Sequence, residues 1–152
     1  MKVGVISDTH GLLRPEALAA LQGCARIVHA GDIGKPEILE QLARLAPLHV
    51  VRGNNDLGFA WADKLPDQSL FDLEGWQILL VHDRADVPAE LAGEIKVVIT
   101  GHSHKPLIDW RGERLWLNPG SAGPRRFKLP VTVAILELGP AGVEAQLVPL
   151  LQ

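Results

Sequence analysis

Five apolar segments of this chain each run into a polar cluster of aspartate, histidine or asparagine, and that repetition constrains the fold more than any other feature. Val3–Ile6 leads to Ser7-Asp8-Thr9-His10-Gly11, and Ile27-Val28 leads to Gly31-Asp32. His49–Val51 leads to Gly53-Asn54-Asn55-Asp56, Trp76–Val81 to His82-Asp83, and Val97–Thr100 to Gly101-His102-Ser103-His104. Short apolar, β-branched runs of this kind read as buried strands. In folds that alternate strand and helix, ligand sites gather beyond the carboxyl ends of the strands. Five clusters far apart in sequence are therefore expected to converge in space.

The connecting segments refine this picture. Pro15–Leu21 and Pro36–Leu45 have helical spacing, the second with Ile38, Leu39, Leu42 and Leu45 on one stripe, and proline suits a first helical turn. Later segments change texture. Leu70–Leu73, a Glu74-Gly75 turn and Trp76–Val81 predict a hairpin; a second forms around Arg111-Gly112-Glu113. A terminal hairpin pairs Val131–Leu138 with Val143–Leu150. With β–α alternation first and hairpins later, the expectation is an α/β protein with a mixed sheet, or two sheets packed between helices. No repeat or low-complexity tract divides the 152 residues, so 1–152 is expected to form one domain.

Composition excludes more than it proposes. Hydrophobic residues make up 47% of the chain, enough for a substantial core. A formal charge of −3 argues against a general polyanion binder, so no stable nucleic-acid complex is expected. Cys24 is alone, which rules out an intrachain disulfide and a thiolate metal cluster, and it reads as a core residue. The first apolar run reaches Asp8 too soon for a secretory leader, and no run approaches the roughly 20 residues of a membrane span. A cytoplasmic protein without membrane attachment is the expectation. Self-association is left open.

The clusters carry metal-binding chemistry. Asp8 and His10 are two apart at a strand end, as are His102 and His104, and residues so spaced project from one side of a strand. A carboxylate with an imidazole suits Mn²⁺, Fe²⁺, Zn²⁺ or Ni²⁺ better than Ca²⁺. His102 and His104 would either share one ion or serve one each. Asp32 follows a glycine that allows close backbone approach, and its two oxygens can bridge two ions. Four of the six histidines sit in these clusters; His29 and His49 lie within strands and read as structural, His29 at most supporting a ligand from behind.

Taken together, Asp8-x-His10, Gly31-Asp32, Gly53-Asn54-x-Asp56, His82 and Gly101-His102-x-His104 resemble the calcineurin-like metallophosphoesterase superfamily. The likeness is closer to its small bacterial and archaeal phosphodiesterase branch, the YfcE type, which Asn118-Pro119-Gly120-Ser121 followed by Pro124-Arg125 also resembles. It runs from Met1 to about Leu138. It implies a four-layer αββα sandwich, two mixed β-sheets flanked by helices. It implies that Asp8, His10 and His104 hold one divalent ion, that Asn54, His82 and His102 hold another, and that Asp32 bridges them. Mn²⁺ is the favoured ion, with Ni²⁺, Mg²⁺, Fe²⁺ and Zn²⁺ as alternatives.

The implied reaction is hydrolysis of a small phosphodiester by a metal-bridging hydroxide. Two divalent ions bring four positive charges; Asp8, Asp32 and a hydroxide remove three, so the site stays positive in an acidic chain. Metals about 3.5–4 Å apart can then clamp phosphate oxygens and activate water. Phosphomonoester hydrolysis at the same site is the near alternative. A non-catalytic scaffold, like the retromer subunit of the same family, is the distant one. Two positions depart from the common pattern. Asn55 stands where many members have a histidine that helps the leaving group, which predicts a preference for aryl esters. Asp83 stands where glycine commonly follows the motif histidine; it would orient His82 or donate a proton. Arg125, with Arg126 and Lys128 near it, is a candidate contact for substrate phosphate, and Phe59 and Trp61 are candidates to wall the pocket.

Overall fold

The computed structural model describes residues 1–151. Two five-stranded mixed sheets lie face to face. The first has the order β10-β9-β1-β2-β3, built from β1 (Lys2–Ile6), β2 (Arg26–His29), β3 (Leu48–Val50), β9 (Thr132–Gly139) and β10 (Gly142–Pro149). Its β1, β2 and β3 run parallel, while β9 and β10 add an antiparallel hairpin. The second has the order β4-β5-β6-β8-β7, from β4 (Gln68–Leu73), β5 (Trp76–Val81), β6 (Ile95–Ile99), β7 (Leu107–Arg111) and β8 (Arg114–Asn118). There β5, β6 and β8 are parallel, and β4 and β7 close the edges antiparallel.

The apolar runs are uninterrupted because both faces of the central strands are covered. On β1, Val3 and Val5 face the second sheet and join Val28, Ile78, Leu80, Val97 and Leu136 in the inter-sheet core. Ile6 turns the other way, to a layer built by helices α1 (Pro15–Leu21) and α2 (Pro36–Ala43) through Ala17, Leu21, Ile38 and Leu42. Each helix carries its proline in the first turn, where a missing N–H costs nothing. Cys24 is buried in this same layer.

The fourth layer is thinner than the first. Over Leu79, Val81, Ile95 and Val98 of the second sheet lie Val87 and Leu91, with Trp116 of β8 packed beside them. The covering strap holds a single 3₁₀ turn, Arg84–Asp86, and no α-helix. Pro88 and Gly93 in so short a segment explain why it does not wind further. The sandwich thus matches the expected four-layer α/β architecture with its second outer layer reduced to a strap. Among the described residues no helix is long and apolar enough to cross a membrane.

Candidate metal centre

The carboxyl ends of β1, β2, β3, β5 and β6 open onto one place. Backbone hydrogen bonds carry the parallel pairing past the strand ends: Asp8 N–H donates to Gly31 C=O, His10 N–H to Asp32 C=O and Gly101 N–H to His82 C=O. Beyond those bonds the backbone turns left-handed. Asp8, His10, Asp32, His102 and His104 all have φ between 46° and 68°, and they are five of the seven described non-glycine residues in that region. Such φ values cost an L-residue energy and concentrate at functional sites. The i, i+2 pairs therefore meet for a reason other than strand pleating, because β1 stops at Ile6 and β6 at Ile99. Local turns aim the side chains.

Two donor groups result. Asp8, His10 and His104 offer atoms within 4.8 Å of one another, and so do Asp32, His82 and His102. His102 and His104 thus part company, one to each group. Asp32 stands between the groups, its Oδ2 lying 3.2 Å from His82 Nε2 and 3.7 Å from His10 Nε2. Asn54 turns Oδ1 to His82 Nε2 at 3.1 Å and to His102 Nδ1 at 3.2 Å. All seven residues expected to hold metal are in this constellation.

The donor set fits divalent ions on the geometry alone. Asp8 is fully buried; its Oδ2 accepts from Ser7 Oγ at 2.6 Å and from His102 N–H at 3.0 Å. Its Oδ1 has no hydrogen-bond partner and faces His104 Nε2 at 3.5 Å and His10 Nε2 at 3.8 Å. A bare buried carboxylate oxygen beside two imidazole nitrogens suits a Lewis acid and is costly without one. The His82 ring is likewise oriented for a metal. Its Nδ1 lies 2.7 Å from Ala30 C=O, to which it donates, leaving Nε2 as the ligand atom. His104 Nδ1, by contrast, is buried without a partner.

Electrostatics agree with this arrangement. Burial would raise the Asp32 pKa, but the His82 hydrogen bond and charge and the Asn55 N–H bring it down to about 2. His82 answers in the other direction, since burial lowers its pKa but Asp32 outweighs burial and raises it. Burial lowers that of His10 despite Asp32 and Asp8, with His104 and Arg126 adding to the effect. A metal arriving here would meet the ionised Asp32 and would have to displace the proton that Asp32 favours on His82.

The remaining candidates have narrower places. Asn55 does not reach outward: its N–H donates to Asp32 Oδ1 at 2.9 Å and its Nδ2 to Oδ2 at 3.3 Å. It holds the carboxylate between the two groups. Asp83 sits beside His102, Oδ2 to Nε2 3.6 Å, rather than orienting His82, and its Oδ1 caps the 3₁₀ turn by accepting from Ala85 N–H. Arg125 is exposed and tied back to Leu129 C=O; the charge of that loop felt at His10 is Arg126's. Phe59 is 52% exposed and stacks loosely on Trp61. Neither lines the cavity of about 550 Å³ beside the second donor group, whose walls include Arg52, Leu57, Asp67, Asp83 and Asp86.

Several supporting residues escape a reading that looks only for ligands. Asp56, 1% exposed, accepts from the N–H groups of Ile33, Gly34 and Gly53 and so staples the loop after β2 to the loop after β3. Its signal was the acid three positions after Gly53, the spacing at which a side chain reaches back to the backbone N–H that opens a helical turn. Gly53 itself has no room for a Cβ, which would overlap the Asp32 carboxylate. Asn118, at the end of β8, donates to Gly101 C=O and Ser103 Oγ and braces the His102–His104 loop. His29 accepts from Gly31 N–H at Nδ1, and its Nε2 lies 3.1 Å from Thr9 Oγ1. It locks the first two loops together from beneath.

Residues 1–140 match the family model for the calcineurin-like phosphoesterase superfamily domain. A protein of Methanothermobacter thermautotrophicus named a probable metallophosphoesterase is 34% identical, with 97% of this chain and 92% of the relative aligned. Among solved structures, the Escherichia coli phosphoesterase YfcE superposes with a TM-score of 0.71 at 27% identity, covering 90% of this chain and 88% of that one. The fold is shared as well by Vps29 of Entamoeba histolytica in complex with zinc, with a TM-score of 0.72, 23% identity and 99% coverage of both chains.

Proposed function

The chain belongs to the calcineurin-like phosphoesterase superfamily, and on that footing we propose that it hydrolyses small phosphodiesters at a dinuclear metal centre. The observation that carries the proposal is the pair of donor groups joined by Asp32, with the bare Asp8 Oδ1 in one of them. Asp8, His10 and His104 would hold one ion, and Asn54, His82 and His102 the other. When bound, the ions supply positive charge for the phosphoryl oxygens and acidify a water placed between them. Mn²⁺ is the proposed ion, with Ni²⁺, Mg²⁺, Fe²⁺ and Zn²⁺ compatible with the same donors.

The chain's own residues do the positioning. Asn55 and the Gly53 backbone fix Asp32 from two sides, and Ala30 C=O fixes the His82 ring. The cavity beside the second donor group is where an ester arm would lie. With Asp67 paired to Arg52, Asp83 and Asp86 leave the wall net acidic and disfavour a second phosphate there, which supports a small diester over a nucleic acid. No imidazole stands at position 55, and the amide there is spent on Asp32. The leaving alcohol would depart with little proton assistance, so aryl esters should outrun alkyl esters. The complete donor set supports the enzyme reading, and metal-dependent turnover, rather than metal binding, separates it from a scaffold of the same fold.

The test is hydrolysis of bis(p-nitrophenyl) phosphate and p-nitrophenyl phosphate with Mn²⁺, Ni²⁺, Mg²⁺ or chelator. Metal-dependent turnover of the diester, faster than that of the monoester, is expected. Asp32→Ala and His82→Ala should each abolish turnover while the circular dichroism spectrum stays native. Turnover surviving either change would sink the proposal.

A further inference from the structure

A cleft of about 340 Å³ on the outer face of the second sheet, lined by none of the candidate ligands, carries more positive charge than its surroundings neutralise. Arg84, Arg111 and Arg114 line it. Trp116 lies among them, with the Arg84 guanidinium 4.6 Å and the Arg111 guanidinium 5.2 Å from its ring centroid. Arg114 is the anchor, donating to Ile95 C=O at 2.7 Å and to Ala92 C=O at 2.8 Å and so fixing the end of the strap. Asp109 pairs with Arg111 at 3.1 Å. Arg84 has no carboxylate within ion-pair distance among the described residues, and its guanidinium rests on the tryptophan face. Three guanidinium groups thus share one carboxylate, in a chain with 18 acidic and 15 basic residues.

We propose that this cleft is a second ligand site, for a phosphomonoester dianion carrying an apolar body. Guanidinium N–H groups match phosphate oxygens in pairs, and a dianion relieves the mutual repulsion of the arginines. Val87, Pro88 and Leu91, with the indole of Trp116, give the non-phosphate part an apolar wall. A carboxylate would offset less of the charge, and a bare phosphate would leave that wall unused. Diester hydrolysis releases monoesters of this class, so on the function proposed above the cleft accepts the reaction's own type of product. The site itself does not depend on that reading, since none of its residues is a candidate metal ligand.

The probe is phenylphosphonate, which carries both features and has no ester bond to hydrolyse, titrated calorimetrically at pH 8 into the full chain. Asp32→Ala protein, stripped of metal with chelator, takes the dinuclear centre out of the measurement. It is expected to bind one equivalent, with inorganic phosphate binding several-fold more weakly. Combining Arg84→Ala with Arg111→Ala should weaken binding at least tenfold, and Arg84→Gln alone should move it in the same direction; both side chains are exposed, so the fold is not at stake. Absence of saturable binding to the Asp32→Ala protein overturns the proposal. So does affinity unmoved by the arginine changes, or inorganic phosphate binding as tightly as phenylphosphonate. Loss of metal binding by the wild-type chain would leave these outcomes untouched and would bear only on the phosphoesterase reading.

Discussion

At the scale of single residues, the centre depends on what each side chain does with its second polar atom. Asp8 commits one oxygen to Ser7 and His102 N–H and leaves the other bare; Asn55 directs a hydrogen bond from each of its nitrogens to Asp32. Asn55→Ala removes the side-chain half of that support, and Mn²⁺ affinity should fall by roughly tenfold or more, as outer contacts of metal ligands typically do. A direct metal titration checks this; unchanged affinity would mean that the backbone N–H suffices. His29 makes a different prediction. Thr9 Oγ1 donates to Ile33 C=O, so it accepts from His29 Nε2–H, while Nδ1 accepts from Gly31 N–H. The ring is satisfied only when neutral, and burial holds its pKa down to about 4. The unfolded chain therefore takes up this proton first as pH falls. The stability is intact above about 6.5 and is lost between there and about 4, by an amount on the order of 3 kcal/mol. His29→Gln can keep both hydrogen bonds without titrating, so the stability gap between the two proteins should narrow or reverse across that window. Parallel pH profiles in denaturant melts would refute it. The candidate ligands themselves were legible because each is a polar residue just past an apolar run. Thr9 was not, and for His29 and Asn118 the sequence left the role open, since much of their work is done on backbone atoms of distant loops.

At the scale of elements, the strands and both helices follow from periodicity, and the loops do not. The spacing Asp8-x-His10 pointed to strand alternation, yet the backbone there is left-handed. Nothing in an Asp-x-His pair distinguishes the two cases, since both bring the side chains together. The strap over the second sheet was equally hard to foresee, although Pro88 and Gly93 explain it afterwards. Asp56 ties these loops into a unit. Asp56→Ala would leave the N–H groups of Ile33, Gly34 and Gly53 without an acceptor, at a cost of about 3 kcal/mol. The expected result is a lower denaturant midpoint with the same m-value, accompanied by weaker metal binding because Gly53 abuts Asp32. A loss of stability with full metal affinity would show that the staple supports the fold and not the site.

At the scale of the molecule, two parallel strand sets deliver their carboxyl ends to one rim, and that convergence was the main inference available from sequence. The acidic cavity wall on that rim and the arginine cleft on the opposite side of the second sheet were not, because they depend on which surface residues become neighbours. On the proposed function the rim would also set substrate preference. With Asn55 turned to Asp32, rates on phosphodiesters should rise steeply as the leaving alcohol becomes more acidic, and Asn55→His should flatten that dependence; equal wild-type rates on alkyl and aryl diesters would contradict it. The central claim is that Asp32 joins two ions in one centre. Electron paramagnetic resonance of the chain loaded with Mn²⁺ tests it most directly. Two equivalents per chain with an exchange-coupled spectrum that Asp32→Ala converts to an uncoupled one is the predicted result. One equivalent with an isolated six-line signal in the wild-type chain would contradict it.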